Sequence, residues 1–216
     1  EILVELEKLQ DDAPVLDLSD IENVIQTNLG RSIDELFSIF DVEPIAAASL
    51  SQVHKGVLRE NGHIVCVKVQ RPGIKEMIQA DLDILDAIAG FLHQQVEGLE
   101  PYDLPELVQI IRRHILNELD FRTELRNMRI ARSNALNTPI YIPEGMESYC
   151  TEQVLVLEYV HGARYNEIAR DSIYDAERIA RQGLAAAAKQ ILEDGFFHAD
   201  PHPGNLLIGD NAEICF

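Results

Sequence analysis

Asp200 and Asn205 are the residues whose types and spacing best fit chemistry: a carboxylate and, five positions on, a carboxamide. They sit in the Pro/Gly-rich run Phe197-His198-Ala199-Asp200-Pro201-His202-Pro203-Gly204-Asn205, which leads into the apolar Leu206-Leu207-Ile208. Phosphoryl transfer is catalysed mostly by holding phosphate, metal and acceptor in line while charge is neutralised. It needs a carboxylate facing the acceptor's proton and an oxygen on Mg²⁺, both projecting from one rigid turn. Asp200 fits the first role and Asn205 the second. Two plainer readings use the same residues. His198, Asp200 and His202 are metal-ligand types, but alternating residues converge on one centre only from an extended segment, and Pro201 and Pro203 restrict that backbone. Asp, Asn, Gly and Pro also cluster in ordinary turns, where Asp and Asn cap local backbone groups.

The spacing is that of a protein-kinase catalytic loop, H-R-D-L-x-x-x-N. The departures are Ala199 for Arg, Pro201 for Leu, and His202 where protein kinases carry a Lys that steadies the transferred phosphate. His202 replaces that Lys only when protonated. Upstream, Val65-Cys66-Val67-Lys68-Val69 matches the Val-Ala-Ile-Lys strand whose Lys contacts the nucleotide's phosphates. A Lys inside a β-branched run needs an anionic partner, unless the strand lies at an edge and the ammonium snorkels to water. Cys66 stands where a small Ala would lie over adenine, and narrows that pocket.

These residues need a scaffold. Asn61-Gly62 between two alternating apolar runs is a strong hairpin signal, so residues 52–58 and 64–69 should pair. The turn before that hairpin, Ala46-Ala47-Ala48-Ser49, sits where an ordinary kinase has G-x-G-x-x-G over the phosphates, with Val53 following on the strand. Without glycines the loop cannot take the same left-handed conformations, so it grips nucleotide differently or shifts the preference between ATP and ADP. Tyr141-Ile142-Pro143 and residues 154–160 read as further strands closing a mostly antiparallel sheet. The second ends at a hinge whose backbone, Glu158, Tyr159 and Val160, is expected to line the nucleotide.

Helical periodicity accounts for much of the rest. A helical leader runs from residue 1 to about residue 40, interrupted near Asp11–Pro14. Ile74, Ile78, Leu82, Leu85, Ile88, Ala89 and Leu92 mark another helix. Asp103, Pro105 and Glu106 have the form of a capping box opening a long helix through Leu107, Ile110, Ile111, Ile115, Leu119 and Met128. Glu118, Arg122 and Arg126 stand four apart on it, as a solvated ion-pair ladder would. A last helix, residues 175–194, should carry Ile179, Leu184, Ala188 and Ile191 inward, stop at Gly195 and deliver the catalytic loop.

Taken together, the Ala46–Ser49 loop with Gln52-Val53-His54, the run Val67-Lys68-Val69-Gln70-Arg71-Pro72-Gly73, Glu118-Leu119-Asp120 and the Asp200 loop resemble the UbiB family of atypical kinases. These proteins, also called AarF or ADCK proteins, are associated with ubiquinone and other prenylquinone biosynthesis. The resemblance spans residues 44–208. It implies an α+β, protein-kinase-like two-lobed fold, whose small lobe is an antiparallel sheet with inserted helices and whose helical large lobe is truncated. It divides the chain into a leader (1–40), a small lobe with inserted helices and hinge (41–162) and the start of the large lobe (163–216). It also implies that Glu118 and Asp120, the family's E-x-D pair, meet an N-terminal K-x-G-Q segment covering the active site. Glu124, 56 residues after Lys68, becomes the partner of that Lys.

The resemblance further implies Mg²⁺ with ATP or ADP as cofactors and an ATPase supporting prenylquinone synthesis, with biosynthetic proteins or lipid precursors as partners. No K-x-G-Q precedes the match and no Asp-Phe-Gly follows Asn205, so the expectation is a fragment whose second Mg²⁺ ligand lies beyond Phe216 and which alone is nearly inert. Membrane contact would need segments not present in this sequence. A small-molecule phosphotransferase of the aminoglycoside-kinase type shares the Asp-x-His-Pro-Gly-Asn loop but lacks the alanine-rich loop and E-x-D. A nucleotide-sensing pseudokinase scaffold would have no chemical need for Asp200, Asn205 and Lys68 together.

Composition bounds these readings. At 216 residues and 46% hydrophobic, the chain can bury a core. A net charge of -19 argues against a nucleic-acid surface or a polybasic membrane patch. Cys66, Cys150 and Cys215 have neither metal nor redox spacing, which fits reduced thiols of a cytosol-like compartment, bacterial cytoplasm or organelle.

Overall fold

The computed structural model describes residues 14–96, 101–136, 138–164, 175–199, 206–209 and 213–215. They form two compact units. The first takes the described residues up to Glu124 together with Ser148–Leu155; the second takes Leu125–Glu147 and those from Val156 onward.

The first unit opens with α1 (Leu18–Leu29), which buries Ile21, Val24 and Ile25 and ends where Gly30, at φ 70°, turns its N–H back to Gln26 O. Ser32 and Glu35 then cap each other's backbone to start the single turn α2 (Ile33–Leu36). The next four residues depart from the expected helix. Phe37–Phe40 is strand β1, paired antiparallel with β3 (Ser51–Leu58) through Phe37↔Leu58 and Phe40↔Gly56. Phe-Ser-Ile-Phe is aromatic and β-branched, and pairing buries Phe37 to 2% exposure, which a fraying helix end could not do.

β3 and β4 (Ile64–Gln70) form the hairpin expected around Asn61-Gly62, with Gly62 at φ 74°. The sheet order is β1-β3-β4-β6, with β2 (Ala46–Ala47) also on β3 and β6 being Val154–Glu158. Of β6, Val154 and Leu155 belong to this unit. β4 alternates: Val65, Val67 and Val69 are fully buried, whereas Cys66 and Lys68 occupy the opposite face.

α3 (Ile74–Gln95) follows Gly73 and packs on α4 (Leu104–Glu118), with Arg112 on Asp83 at 2.8 Å and Gln109 on Asp86 at 3.1 Å. Within the expected α3 stripe, Ile74, Leu82 and Ala89 are buried while Leu85, Ile88 and Leu92 stay exposed. Asp103 caps α4 by accepting from the Glu106 N–H. The single long helix expected from there to Met128 is instead two, because α5 (Phe121–Asn134) starts afresh after Asp120. Asp120 Oδ1 accepts from the Arg122 N–H as a new cap, and Gln70 Nε2 donates to Leu119 O at 2.8 Å, where the first helix ends.

In the second unit, β5 (Ile140–Tyr141), β9 (Ile214–Cys215), β8 (Leu207–Ile208) and β7 (Ala163–Arg164) lie in that order. Tyr141 therefore joins a different sheet from the one expected, parallel to β9. α6 (Ala176–Lys189) is capped by Asp175 and widens into a π turn at Gln190–Asp194 before Gly195 at φ 62°. Its expected inner face is also corrected: Ile179 and Ala186 are buried, while Ala188 is exposed and Leu184 and Ile191 are 74% and 56% exposed. Among the described residues the small sheet covers a narrow stripe, Ile179 packing with Ile208 and Ile214, and Ala186 with Ile140 and Ile142.

Candidate functional site

The strand period decides the first feature. Val53 is directly opposite Lys68, and Lys55 opposite Cys66, so Val53, Cys66 and Lys68 share the face of the hairpin away from the valine core. Lys68 Nζ donates to both oxygens of Glu124, at 3.0 and 2.8 Å, with side chains 28% and 38% exposed. The ammonium also stands 4.8 Å from the centroid of the Phe121 ring. That aromatic contact is not foreseeable from the motifs; its only signal in the sequence is an aromatic residue next to Asp120 in the E-x-D segment. Burial pushes the Cys66 thiol up to about 11, so beside Val53 it offers a neutral, apolar surface.

Ala46 and Ala47 pair with Val53 and Gln52, and Ile45 N–H donates to Val53 O at 2.7 Å. Beyond them Ala48 N–H reaches Ser51 O at 2.9 Å, closing the loop over Ser49 and Leu50. A polar network lies behind it. Gln52 Oε1 accepts from Leu16 N–H, Gln52 Nε2 meets His54 Nε2 at 2.9 Å, and His54 Nδ1 meets Asp41 O at 2.8 Å. Donation to a carbonyl places the proton on Nδ1, leaving Nε2 to accept from the amide. Phe40 stacks on the ring, and burial holds its pKa below 6.5. Gln52, His54 and Gln70 are polar residues at buried strand positions; for Gln52 and His54 the spacing of two within β3 is the signal in the sequence that could have found them.

Of the E-x-D pair, Glu118 is exposed at the end of α4, whereas Asp120 is held by both Nε and Nη2 of Arg122 at 2.8 Å. The Arg122 guanidinium beside it holds the Asp120 carboxyl below the usual range. Arg122 also reaches Glu152 at 3.2 Å, and Lys75 pairs with the same Glu152. The ladder of Glu118, Arg122 and Arg126 is thus replaced by Asp120, Arg122, Glu152 and Lys75, because the chain breaks helix at Leu119.

In the second unit the Glu158 N–H donates to Glu144 O at 2.7 Å, and its carboxylate accepts from Tyr141 Oη at 2.6 and 2.7 Å. Its amide and carboxylate are thus engaged within the protein, and Tyr159 and Val160 follow at the strand's end. Asp200, His202 and Asn205 lie outside the described residues; before them His198 N–H donates to Gln190 Oε1 at 3.2 Å, from the π turn. Among the described residues no group of three or more His, Cys, Asp or Glu is arranged to hold a metal ion.

Comparison with known proteins places these features in context. Residues 8–216 match the model of the ABC1 atypical kinase-like domain. The chain is 34% identical over 211 residues to a probable protein kinase UbiB of Cellvibrio japonicus, covering 96% of this chain and 38% of the relative. It is 37% identical over 216 residues to the chloroplastic protein ACTIVITY OF BC1 COMPLEX KINASE 8 of Arabidopsis thaliana, covering 97% and 28%. A solved structure of Rv3197 with erythromycin, from Mycobacterium tuberculosis, superimposes with a TM-score of 0.80 at 28% identity, over 94% of this chain and 51% of that one. The chain thus spans about two fifths or less of these two curated relatives. The α+β fold is protein-kinase-like, as the motifs implied. Among the described residues no helix is long and apolar enough to cross a membrane.

Proposed function

Because the chain belongs to the ABC1 atypical kinase-like family, we propose that it binds Mg-ATP or Mg-ADP on the sheet face bearing Val53, Cys66 and Lys68. In the full-length protein it would turn that nucleotide over in support of prenylquinone biosynthesis. The observation that carries the reading is the Lys68–Glu124 pair. An ammonium has three N–H donors; Glu124 takes two, and the third is left for a phosphate oxygen. Val53 and the neutral Cys66 thiol suit the flat apolar base, while Ala46–Ser49 would lie over the phosphates.

Asp200 would take the acceptor's proton, or that of water, with His202 beside the transferred phosphate when protonated. Asn205 would hold Mg²⁺ with an Asp from beyond Phe216; the metal neutralises phosphate charge. Glu158, Tyr159 and Val160 would offer backbone groups to adenine, Glu158 only through its carbonyl. The quinone link rests on the likeness to proteins named UbiB.

The test is thermal unfolding of the full-length protein with and without Mg-ATP and Mg-ADP, beside Lys68→Ala. A ligand at a hundredfold excess over its dissociation constant stabilises by about 2.7 kcal/mol. A rise in Tm that vanishes in Lys68→Ala is expected; no rise at millimolar nucleotide would sink the proposal. Asp200→Asn that binds nucleotide yet supports quinone synthesis unchanged would instead establish a scaffold.

A further inference from the structure

We propose that Arg71 is a positioning residue that aims a backbone amide of the alanine-rich loop at the nucleotide's phosphates. The inference deepens the proposed nucleotide binding and rests on it for the identity of the ligand. Arg71 follows β4 by one residue and lies beside the loop through two separate bonds. Its backbone N–H donates to Leu50 O at 3.0 Å, and its side-chain Nε donates to Ala48 O at 2.9 Å. The neighbouring Nη2 is buried and has no hydrogen-bond partner among the described residues.

The geometry of the peptide bond supplies the consequence. In a planar trans peptide the C=O of one residue and the N–H of the next point in opposite directions. Fixing Ala48 O on the Arg71 guanidinium therefore turns the Ser49 N–H away from Arg71. Glycine-rich phosphate loops reach such an orientation through positive φ angles that alanine avoids. Here the loop has three alanines and no glycine, and a side chain from outside it sets the peptide plane instead. The Ser49 N–H is then a preset donor for a phosphate oxygen.

The test compares the wild-type full-length protein with Arg71→Ala and Arg71→Lys, reading Tm, amide hydrogen exchange of the Ala46–Leu50 segment without nucleotide, and affinity for Mg-ADP and adenosine. Losing a charge-assisted hydrogen bond predicts about tenfold faster exchange of the Ala48 amide in Arg71→Ala, with partial restoration by Lys. Mg-ADP affinity should fall about tenfold while adenosine affinity holds, because only the phosphates meet the loop. Unchanged exchange in Arg71→Ala overturns the clamp, whether or not nucleotide binds. Equal losses for adenosine and Mg-ADP overturn the aiming of Ser49. Failure of the wild type to bind Mg-ADP counts against the nucleotide reading itself, which the exchange result does not depend on.

Discussion

Replacing Glu124 by Gln keeps the shape of the side chain and one oxygen acceptor but removes the charge opposite Lys68. At 2.8 Å, two unit charges attract by about 1.5 kcal/mol at the dielectric of water and about 6 kcal/mol at an effective dielectric of about 20. Neither figure is the net effect. Glu124 is 38% exposed and Lys68 28%, so water screens the pair, and holding two long side chains in one geometry costs entropy. The Phe121 face, 4.8 Å away, continues to hold the ammonium by roughly 0.5–1 kcal/mol when Glu124 is neutral. The expected loss for Glu124→Gln is therefore about 1 kcal/mol, or about 2–4 °C in Tm for a domain of this size. The assay is urea unfolding of wild type, Glu124→Gln, Lys68→Met and the double variant at unchanged m-value, which isolates the pair's coupling at about 1 kcal/mol. Mg-nucleotide affinity of Glu124→Gln should fall about tenfold, since Lys68 must then be ordered at the expense of binding. A coupling indistinguishable from zero, or full nucleotide affinity in Glu124→Gln, would refute the claim that Glu124 holds Lys68 in place.

Two further outcomes follow from other parts of the chain. His54 is buried between Gln52 and Asp41 O with its pKa pushed below 6.5, mainly by desolvation, so the unfolded chain binds the proton more readily than the folded one. Its contribution is present above about pH 6.5 and lost as pH falls below that value; between pH 7 and 5.5 the decline in Tm should be steeper for wild type than for His54→Gln. Gly162 lies where an added Cβ would stand 2.8 Å from Ile208 O, a backbone atom that cannot rotate aside. Gly162→Ala should cost about 1–3 kcal/mol in urea unfolding, and a neutral outcome would show that β7 and β8 can separate freely.

Local chemistry makes much of this protein legible in its sequence. Alternation around Asn61-Gly62 specifies the β3–β4 hairpin, and the period of two then puts Val53, Cys66 and Lys68 on one face, because successive strand side chains must point to opposite sides. Asp103 and Asp175 announce two helix starts. The likeness of motifs assigns Glu124 to Lys68 across 56 positions, a distance no propensity rule spans. Other decisions belong to tertiary structure. Phe37–Phe40 is a strand because β3 offers an open edge, and Tyr141 joins a separate sheet because β9 is its partner. The helix expected through Met128 breaks after Leu119, where Gln70, 49 positions earlier, bonds the Leu119 carbonyl and Glu152 O accepts from the Phe121 N–H. The contact of Arg71 with Ala48 O is invisible in the sequence for the same reason, and that of Phe121 with Lys68 nearly so. A sequence displays its own donors and apolar periods, but which distant group accepts from a given donor is settled only when strands and helices pack and the competing partner, water, is excluded.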